Sequence, residues 1–275
     1  MNVQQPDYAA IFPGAEPNGE KSGFSLRRHG SLLLGHRTVP ARDTLRAATT
    51  AAYRDLFQAV QGYQLYRIWN QVPAINEIPP DTRLERYRSF SAGRADAFES
   101  QFGPGFNACL PAASAVGTDG EELTIAFVAG PSEARHFENP DQVPAYRYPI
   151  EHGPRSPSFA RATCVSVDGR TLVFISGTAA IKGHATIAED SLARQIDCTF
   201  DNLHLISAAA GVGSDLGRGV SRRLLRIYLR SGADRAFAEA AVQSKLLQPG
   251  DTVEWRQADL CRAALKIEIE ASLVS

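Results

Sequence analysis

The sequence predicts an α+β fold: a β-sheet with helices packed on one face. Three observations in the second half of the chain carry this. Two runs of β-branched and aromatic residues, 163–167 and 171–176, flank Asp168-Gly169, a pair that tolerates the positive φ values of a tight hairpin. Two stretches of helical periodicity follow, with a strand between them. An alternating strand over 265–274 closes the chain. The resulting order, ββαβαβ, places both helices on the same side of one sheet.

In the first of those helical stretches, Leu192, Ile196, Phe200, Leu203 and Ile206 recur at helical spacing after Ser191, and Gly211 provides a stop. Residues 224–230 form the intervening strand, and 234–246 the second helix. The first half shows the same rhythm more faintly. A turn-rich opening with Pro13, Gly14, Pro17 and Gly19 leads to the apolar run 31–34. A helix is expected over 41–60, a strand over 65–69, a helix over 84–100 and a strand over 122–129, closed by Gly130-Pro131. This half is compatible with a diverged copy of the second without establishing it. Residues 138–160 hold five prolines, so that segment is a linker or a rigid, shaped loop. The expected division is an N-terminal α/β region over 1–155 and a second domain over 156–275.

Composition narrows the function classes. At 275 residues with 44% hydrophobic and 21% charged content, the chain suits a soluble globular protein of two domains. With 29 basic and 30 acidic side chains, no global basic field recruits nucleic acid or an anionic membrane. Arginine far outnumbers lysine, which suits planar anion contacts, although a GC-rich genome gives the same bias. Cys109, Cys164, Cys198 and Cys261 are scattered, and the six histidines form no HxH or HExxH set, so no metal or other cofactor is expected. The opening residues MNVQQPDYAA lack a basic and apolar leader, and no run approaches a membrane span, which makes the cytoplasm the expected location. Gly211-Val-Gly-Ser-Asp-Leu-Gly-Arg-Gly219 follows a helix and not a strand, so it reads as a turn and not as a nucleotide loop.

Longer motifs carry a resemblance. Phe174-Ile-Ser-Gly-Thr-Ala179, the helix with Gln195 and Asn202, and Lys266-Ile-Glu-Ile-Glu-Ala271 resemble the RidA (YjgF) fold. Tyr66-Arg-Ile-Trp-Asn-Gln-Val-Pro-Ala-Ile-Asn76, Glu85-Arg-Tyr-Arg-Ser-Phe-Ser-Ala-Gly-Arg94, Pro111-Ala-Ala-Ser-Ala-Val-Gly117, Glu138-Asn-Pro-Asp-Gln-Val-Pro-Ala-Tyr-Arg-Tyr-Pro149, Gly153-Pro-Arg-Ser-Pro-Ser-Phe-Ala-Arg161 and Ala258-Asp-Leu-Cys-Arg262 resemble the chorismatase family, in order, across 65–271. The resemblance implies release of pyruvate from chorismate by a monomer or trimer without cofactor. The rival readings are a RidA-type imine hydrolase and a non-catalytic ligand-binding RidA-like protein. The first would leave the matches over 65–161 unexplained, and the second would tolerate loss of Glu268. A pteridine-linked oxygenase would lack visible metal ligands.

Chorismate carries two carboxylates, a ring hydroxyl and an enol ether, so its site needs held cations, and the arginine fork suits carboxylates. Arg94 and Arg155, in the most family-like loops, are the first candidates, and Arg226 on the central strand is the next. Arg161 and Arg262 stand behind them; for each the plain alternative is a surface ion pair. Tyr87, two helical turns before Arg94, and Tyr148 could orient the ring, or could be core tyrosines. Breaking the enol ether needs a general acid. Alternation puts Lys266, Glu268 and Glu270 on one face of the last strand, which by spacing alone reads as a solvated polar face and does not separate the two glutamates. The resemblance implies that Glu268 is the acid. It also ties Ala180 and Cys261 to the product: Cys261 is similar to the 3-hydroxybenzoate-forming type and Ala180 to the hydrolytic type that yields a dihydroxy-cyclohexadiene carboxylate. The weight falls on 3-hydroxybenzoate.

Overall fold

Two six-stranded sheets of identical strand order make up the computed structural model, which describes residues 6–41, 45–217 and 219–275. The first sheet takes β1 (Glu16–Lys21), β2 (Phe24–His29), β3 (Leu32–Pro40), β4 (Gln64–Pro73), β5 (Ala112–Thr118) and β6 (Glu122–Gly130), in spatial order β1-β2-β3-β6-β4-β5. Helix α1 (Leu45–Ala59) joins β3 to β4, and α2 (Arg86–Phe102) joins β4 to β5. The second takes β7 (Arg135–Phe137), β8 (Ala162–Val167), β9 (Arg170–Thr178), β12 (Arg222–Leu229), β13 (Thr252–Gln257) and β14 (Ile267–Val274), in order β7-β8-β9-β14-β12-β13. A two-residue hairpin, β10 (Ile181–Lys182) and β11 (Ala185–Thr186), leads into α3 (Leu192–Ala209), and α4 (Arg235–Lys245) joins β12 to β13. Helices occupy the same places in both halves, and β4–β5 and β12–β13 are the parallel pairs in each. The internal duplication that the sequence left open is therefore present.

The expected hairpin forms with Asp168 at φ 51° and Gly169 at φ 72°, and Ser191 caps α3 by accepting from the Arg194 amide. Residues 42–44, inside the span expected for the first helix, Arg218 of the glycine-rich turn, and the opening residues 1–5 lie outside the described residues. Several strands were not expected, among them the short β7 and the two-residue β10 and β11. β1 is exposed throughout and has no alternation to read; β2, β5 and β13 mix polar and small residues whose neighbours, not their own pattern, make them strands. The chain crosses from one sheet to the other between Gly130 and Arg135, ahead of the expected boundary at 155/156. The reason is that β7 pairs with β8 before the proline-rich segment loops out.

Each sheet turns one face to its own helices and the other to its partner sheet. On β14, Ile267, Ile269, Ala271 and Leu273 join the core under α3 and α4. Leu32, Leu34, Trp69, Val128, Leu172, Phe174 and Val274 form a core shared between the sheets. The face expected to be solvated is thus buried: Glu268 and Glu270 point at the other sheet. Glu270 accepts from Arg67 Nη2 (2.6 Å), Arg226 Nη1 (2.5 Å), Trp69 Nε1 (2.8 Å) and Ser114 Oγ (2.6 Å). Arg226 further reaches Glu254 (2.7 Å) and the Asp7 carbonyl (2.8 Å). This knot ties β4 and β5 to β12 and β14.

Removing one member of a buried ion cluster leaves the others uncompensated, at a cost of about 3–5 kcal/mol. Glu270→Ala is expected to lose stability of that order in urea unfolding, as a lowered midpoint at unchanged slope.

Candidate active site

Beside the charge knot, the sheets leave a cleft of about 490 Å3, within the range of small-molecule sites. It continues into a deeper recess. Tyr87, Phe159, Gly177, Cys261 and Glu268 line both, and Arg94 and Ser114 line the inner end.

Glu268 reaches this space from β14 and is 3% exposed. Burial, reinforced by the neighbouring Glu270 charge and opposed by Arg67 and Arg161, pushes its carboxyl up to about 8. Glu270, two residues on, is held below the usual carboxylate range: Arg67, Arg226 and two neutral donors outweigh its burial. One strand face thus holds a protonated and an ionised carboxyl side by side, the divergence that marks acid–base assignments. Gly177 makes room for the acid. A β-carbon there would collide with Glu268 Oε1, while its amide donates to Ser114 Oγ at 2.9 Å.

Arg94 lies on α2, 3% exposed, stacked 5.3 Å from the Tyr53 ring centre and 5.6 Å from that of Phe98. Its Nε and Nη2 have no hydrogen-bond partner among the described residues. A buried guanidinium with idle donors is costly unless an anion completes it. Arg161, also buried, donates from Nη2 to the Tyr148 hydroxyl at 2.7 Å and keeps an unpaired Nε. Its neighbour Glu138 is raised to about 7 by burial, so it neutralises this arginine only partly. Arg262 also packs on Tyr148, 5.3 Å from the ring centre, anchored on the His184 carbonyl (2.8 Å) and Thr186 Oγ1 (3.1 Å). Burial raises the Tyr87 phenol, keeping it a neutral donor.

The fold therefore gathers Glu268, Tyr87, Arg94, Tyr148 and Cys261, together with the lower-ranked Arg161 and Arg262. Two of the arginine candidates fall outside. Arg155 pairs with Asp96 (3.4 Å) and Glu99 (2.8 Å) on α2, half-exposed and away from the cleft: the surface ion pair named as its alternative. Arg226 is saturated within the charge knot and is structural. Cys261 Sγ stands 4.0 Å from Glu268 Oε2, and burial pushes its thiol up to about 12, so it faces the acid as a neutral S–H. Ala180 is fully buried behind the wall formed by its neighbours Ala179 and Ile181. Sequence reasoning missed Ser114, Gly177 and the mouth residues Glu151, His152 and His184. Ser114 and Gly177 lie inside family-like stretches and Glu151, His152 and His184 between or beyond them, but no pattern of type or spacing marked any of them.

The geometry agrees with the comparisons. A family model described as "Chorismatase FkbO/Hyg5-like, N-terminal" matches residues 12–129. A 3-hydroxybenzoate synthase of Streptomyces hygroscopicus is 34% identical, over 94% of this chain and 82% of its own length. The chain belongs to the chorismatase family. A chorismatase of Streptomyces rapamycinicus is likewise 34% identical, over 94% of this chain and 79% of that one. A crystal structure of a chorismatase superposes with a TM-score of 0.84 at 31% identity, covering 94% of this chain and 80% of that chain. Among the described residues no helix is long and apolar enough to cross a membrane. Within this chorismatase-family chain the residues of the cleft come from both copies: α2 and β5 of the first, β9, β14 and the loop before β14 of the second.

The raised carboxyl has a measurable signature. Below about pH 4.5 Glu268 is protonated folded and unfolded alike. From there to about 8 the unfolded chain ionises while the folded chain keeps its proton, so stability declines with rising pH, and the loss is complete above 8. Glu268→Gln removes this penalty. Its melting temperature should gain on the parent's progressively between pH 5 and 8.5; a pH-independent difference would mean that Glu268 is ionised in the fold.

Proposed function

We propose that this enzyme releases pyruvate from chorismate, with Glu268 as the general acid and 3-hydroxybenzoate as the aromatic product. The observation that carries the reading is a carboxyl enclosed in the cleft, its proton favoured by burial, beside arginines with idle donors. Arg94 in the recess and Arg161 nearer the mouth give each substrate carboxylate a guanidinium, and the phenols of Tyr87 and Tyr148 suit the ring hydroxyl. Glu268 delivers its proton to the methylene carbon of the enol ether. The side chain then carries an oxocarbenium; the ring C3–O bond breaks with its electron pair moving onto that oxygen, so pyruvate leaves, while the C4 hydroxyl oxygen closes on C3 and its proton restores Glu268. Opening of the C4–O bond, with the C3 hydrogen lost as a proton and the oxygen protonated, then gives 3-hydroxybenzoate. 3-Hydroxybenzoate and pyruvate together account for every atom of chorismate, whereas the hydrolytic outcome consumes one water.

The product choice rests on what touches the cleft. Cys261 lines it next to the acid, while Ala180 is packed behind the wall; the relative named 3-hydroxybenzoate synthase supports the same choice. A small, weakly polar thiol beside Glu268 is a poor anchor for an attacking water. The dianionic substrate also reconciles acid with arginines: it neutralises the guanidiniums that would otherwise draw the Glu268 proton away.

Incubation with chorismate, followed by pyruvate release and chromatography of the aromatic acid, tests the reading. Unchanged chorismate beside folded protein would overturn it, and a dihydroxy-cyclohexadiene carboxylate as sole product would overturn the product assignment. Glu268→Gln should lower turnover by about 10²–10⁴-fold while chorismate still binds. Arg94→Ala should weaken binding by about 10- to 150-fold, the equivalent of a lost charge-assisted hydrogen bond of roughly 1.5–3 kcal/mol.

A further inference from the structure

At the mouth of the cleft the fold brings together three side chains that the sequence keeps apart or disguises. Glu151 and His152 lie within the proline-rich segment, in a short 3-10 turn (Ile150–His152). His184 sits in the turn between β10 and β11. His152 Nε2 lies 3.0 Å from His184 Nδ1 and 3.6 Å from Glu151 Oε1, and His184 Nδ1 lies 3.5 Å from the same Oε1. These are the three ligand atoms of the one group of metal-ligating side chains found among the described residues.

The triangle has the dimensions of a metal site. With zinc bonds of roughly 2.0–2.1 Å to histidine and 2.0–2.2 Å to carboxylate, tetrahedral ligands stand about 3.3–3.5 Å apart. The three observed separations straddle that value, so an ion can be accommodated by shifts of a few tenths of an ångström. Both loops are pinned in place. Gly183 donates to the Asp141 carbonyl (2.9 Å) and accepts from the Val143 amide (2.9 Å), which ties the His184 turn to the proline-rich segment. Arg262 holds the His184 backbone carbonyl, and the rings of His152 and His184 pack on Tyr148 at 5.1 and 6.4 Å. Positive φ at Gly153 (135°) and Gly183 (56°) turns the chain immediately beside each histidine.

We propose that Glu151, His152 and His184 form a binding site for a zinc-class divalent ion at the mouth of the cleft. Two imidazoles and one carboxylate suit zinc or its late first-row neighbours and not magnesium or calcium, which prefer all-oxygen shells. All three side chains line the cleft, so the fourth position is available to water or to a ligand carboxylate. Occupation cross-links the 150–153 turn to the β10–β11 hairpin, fixing the two sides of the mouth to each other. The site is distinct from Glu268 and supplies no step of the proposed reaction.

The test needs no assay of turnover, so its outcome is independent of the chemistry proposed above. Chelator-stripped full-length protein is titrated with zinc chloride by calorimetry and with cobalt chloride by visible absorption. The expected result is saturation at about one ion per chain, with the intense d–d bands of low-coordinate cobalt and a raised melting temperature with zinc. His152→Ala, His184→Ala and Glu151→Gln should each weaken zinc binding by more than about tenfold, the lower end of what even an outer-shell change costs. Glu151 is mostly exposed, so its variant keeps the test valid if a histidine variant misfolds. Cys109→Ser, which removes an exposed thiol far along the chain, should bind like the parent. No zinc binding by the parent, undiminished binding by all three site variants, or loss of binding only in Cys109→Ser would each overturn the proposal.

Discussion

Everything in this protein depends on one buried carboxylate. Glu270 accepts hydrogen bonds from residues of three other strands at once, Arg67 and Trp69 on β4, Ser114 on β5 and Arg226 on β12. Two sheets could slide on an apolar interface; they cannot slide on this one without leaving charges unpaired in a low-dielectric space. The knot fixes the height of β14 against the first sheet, and with it the place of the next outward-facing residue, Glu268. Stability and chemistry are thus coupled through two positions on one strand.

The two glutamates show how partners, not burial, decide protonation. Both are almost fully enclosed. Glu270 has two guanidiniums, an indole and a hydroxyl, and stays ionised. Glu268 has a thiol at 4.0 Å, a glycine that makes room for its oxygen, and the repulsion of Glu270 itself. The ionised member therefore helps to keep the other protonated. The arrangement costs stability at neutral pH, which is the expected direction of a trade between stability and a poised active site.

Much of this was legible in the sequence, for identifiable reasons. The hairpin at Asp168-Gly169, the helical spacing that begins after Ser191 and the alternation on β14 are local signals, and each became the element it predicted. The sheet partner of β13 is not local, since β12 lies across α4, and an exposed strand such as Glu16–Lys21 exists because β2 pairs with it and not through its own pattern. Spacing correctly placed Glu268 and Glu270 on one face but misjudged what lies opposite, since only the partner sheet converts a solvated face into a buried one. Arg94 and Arg155 looked equivalent in their motifs. The fold separates them by giving Arg155 two carboxylates on α2 and Arg94 none. The grouping of Glu151 with His152 and His184 arises from a loop-to-hairpin contact, which no periodicity encodes.

The duplication explains why this site exists only once. β6 occupies in the first sheet the place that β14 occupies in the second, yet it turns Ala126 and Val128 toward the opposite sheet. A carboxyl on both seam strands would put two desolvated acids across a dry interface with too few arginines to share. With apolar residues on one copy, the seam can close over Trp69, Phe174 and Val274, while the charges concentrate at the end where β5, β9 and β14 converge. One copy keeps the scaffold and supplies Arg94 from its helix; the other supplies the acid. Neither half contains a complete cleft, because Glu268 and Arg94 belong to different copies. The charge knot that joins the halves is therefore also the element that assembles the site.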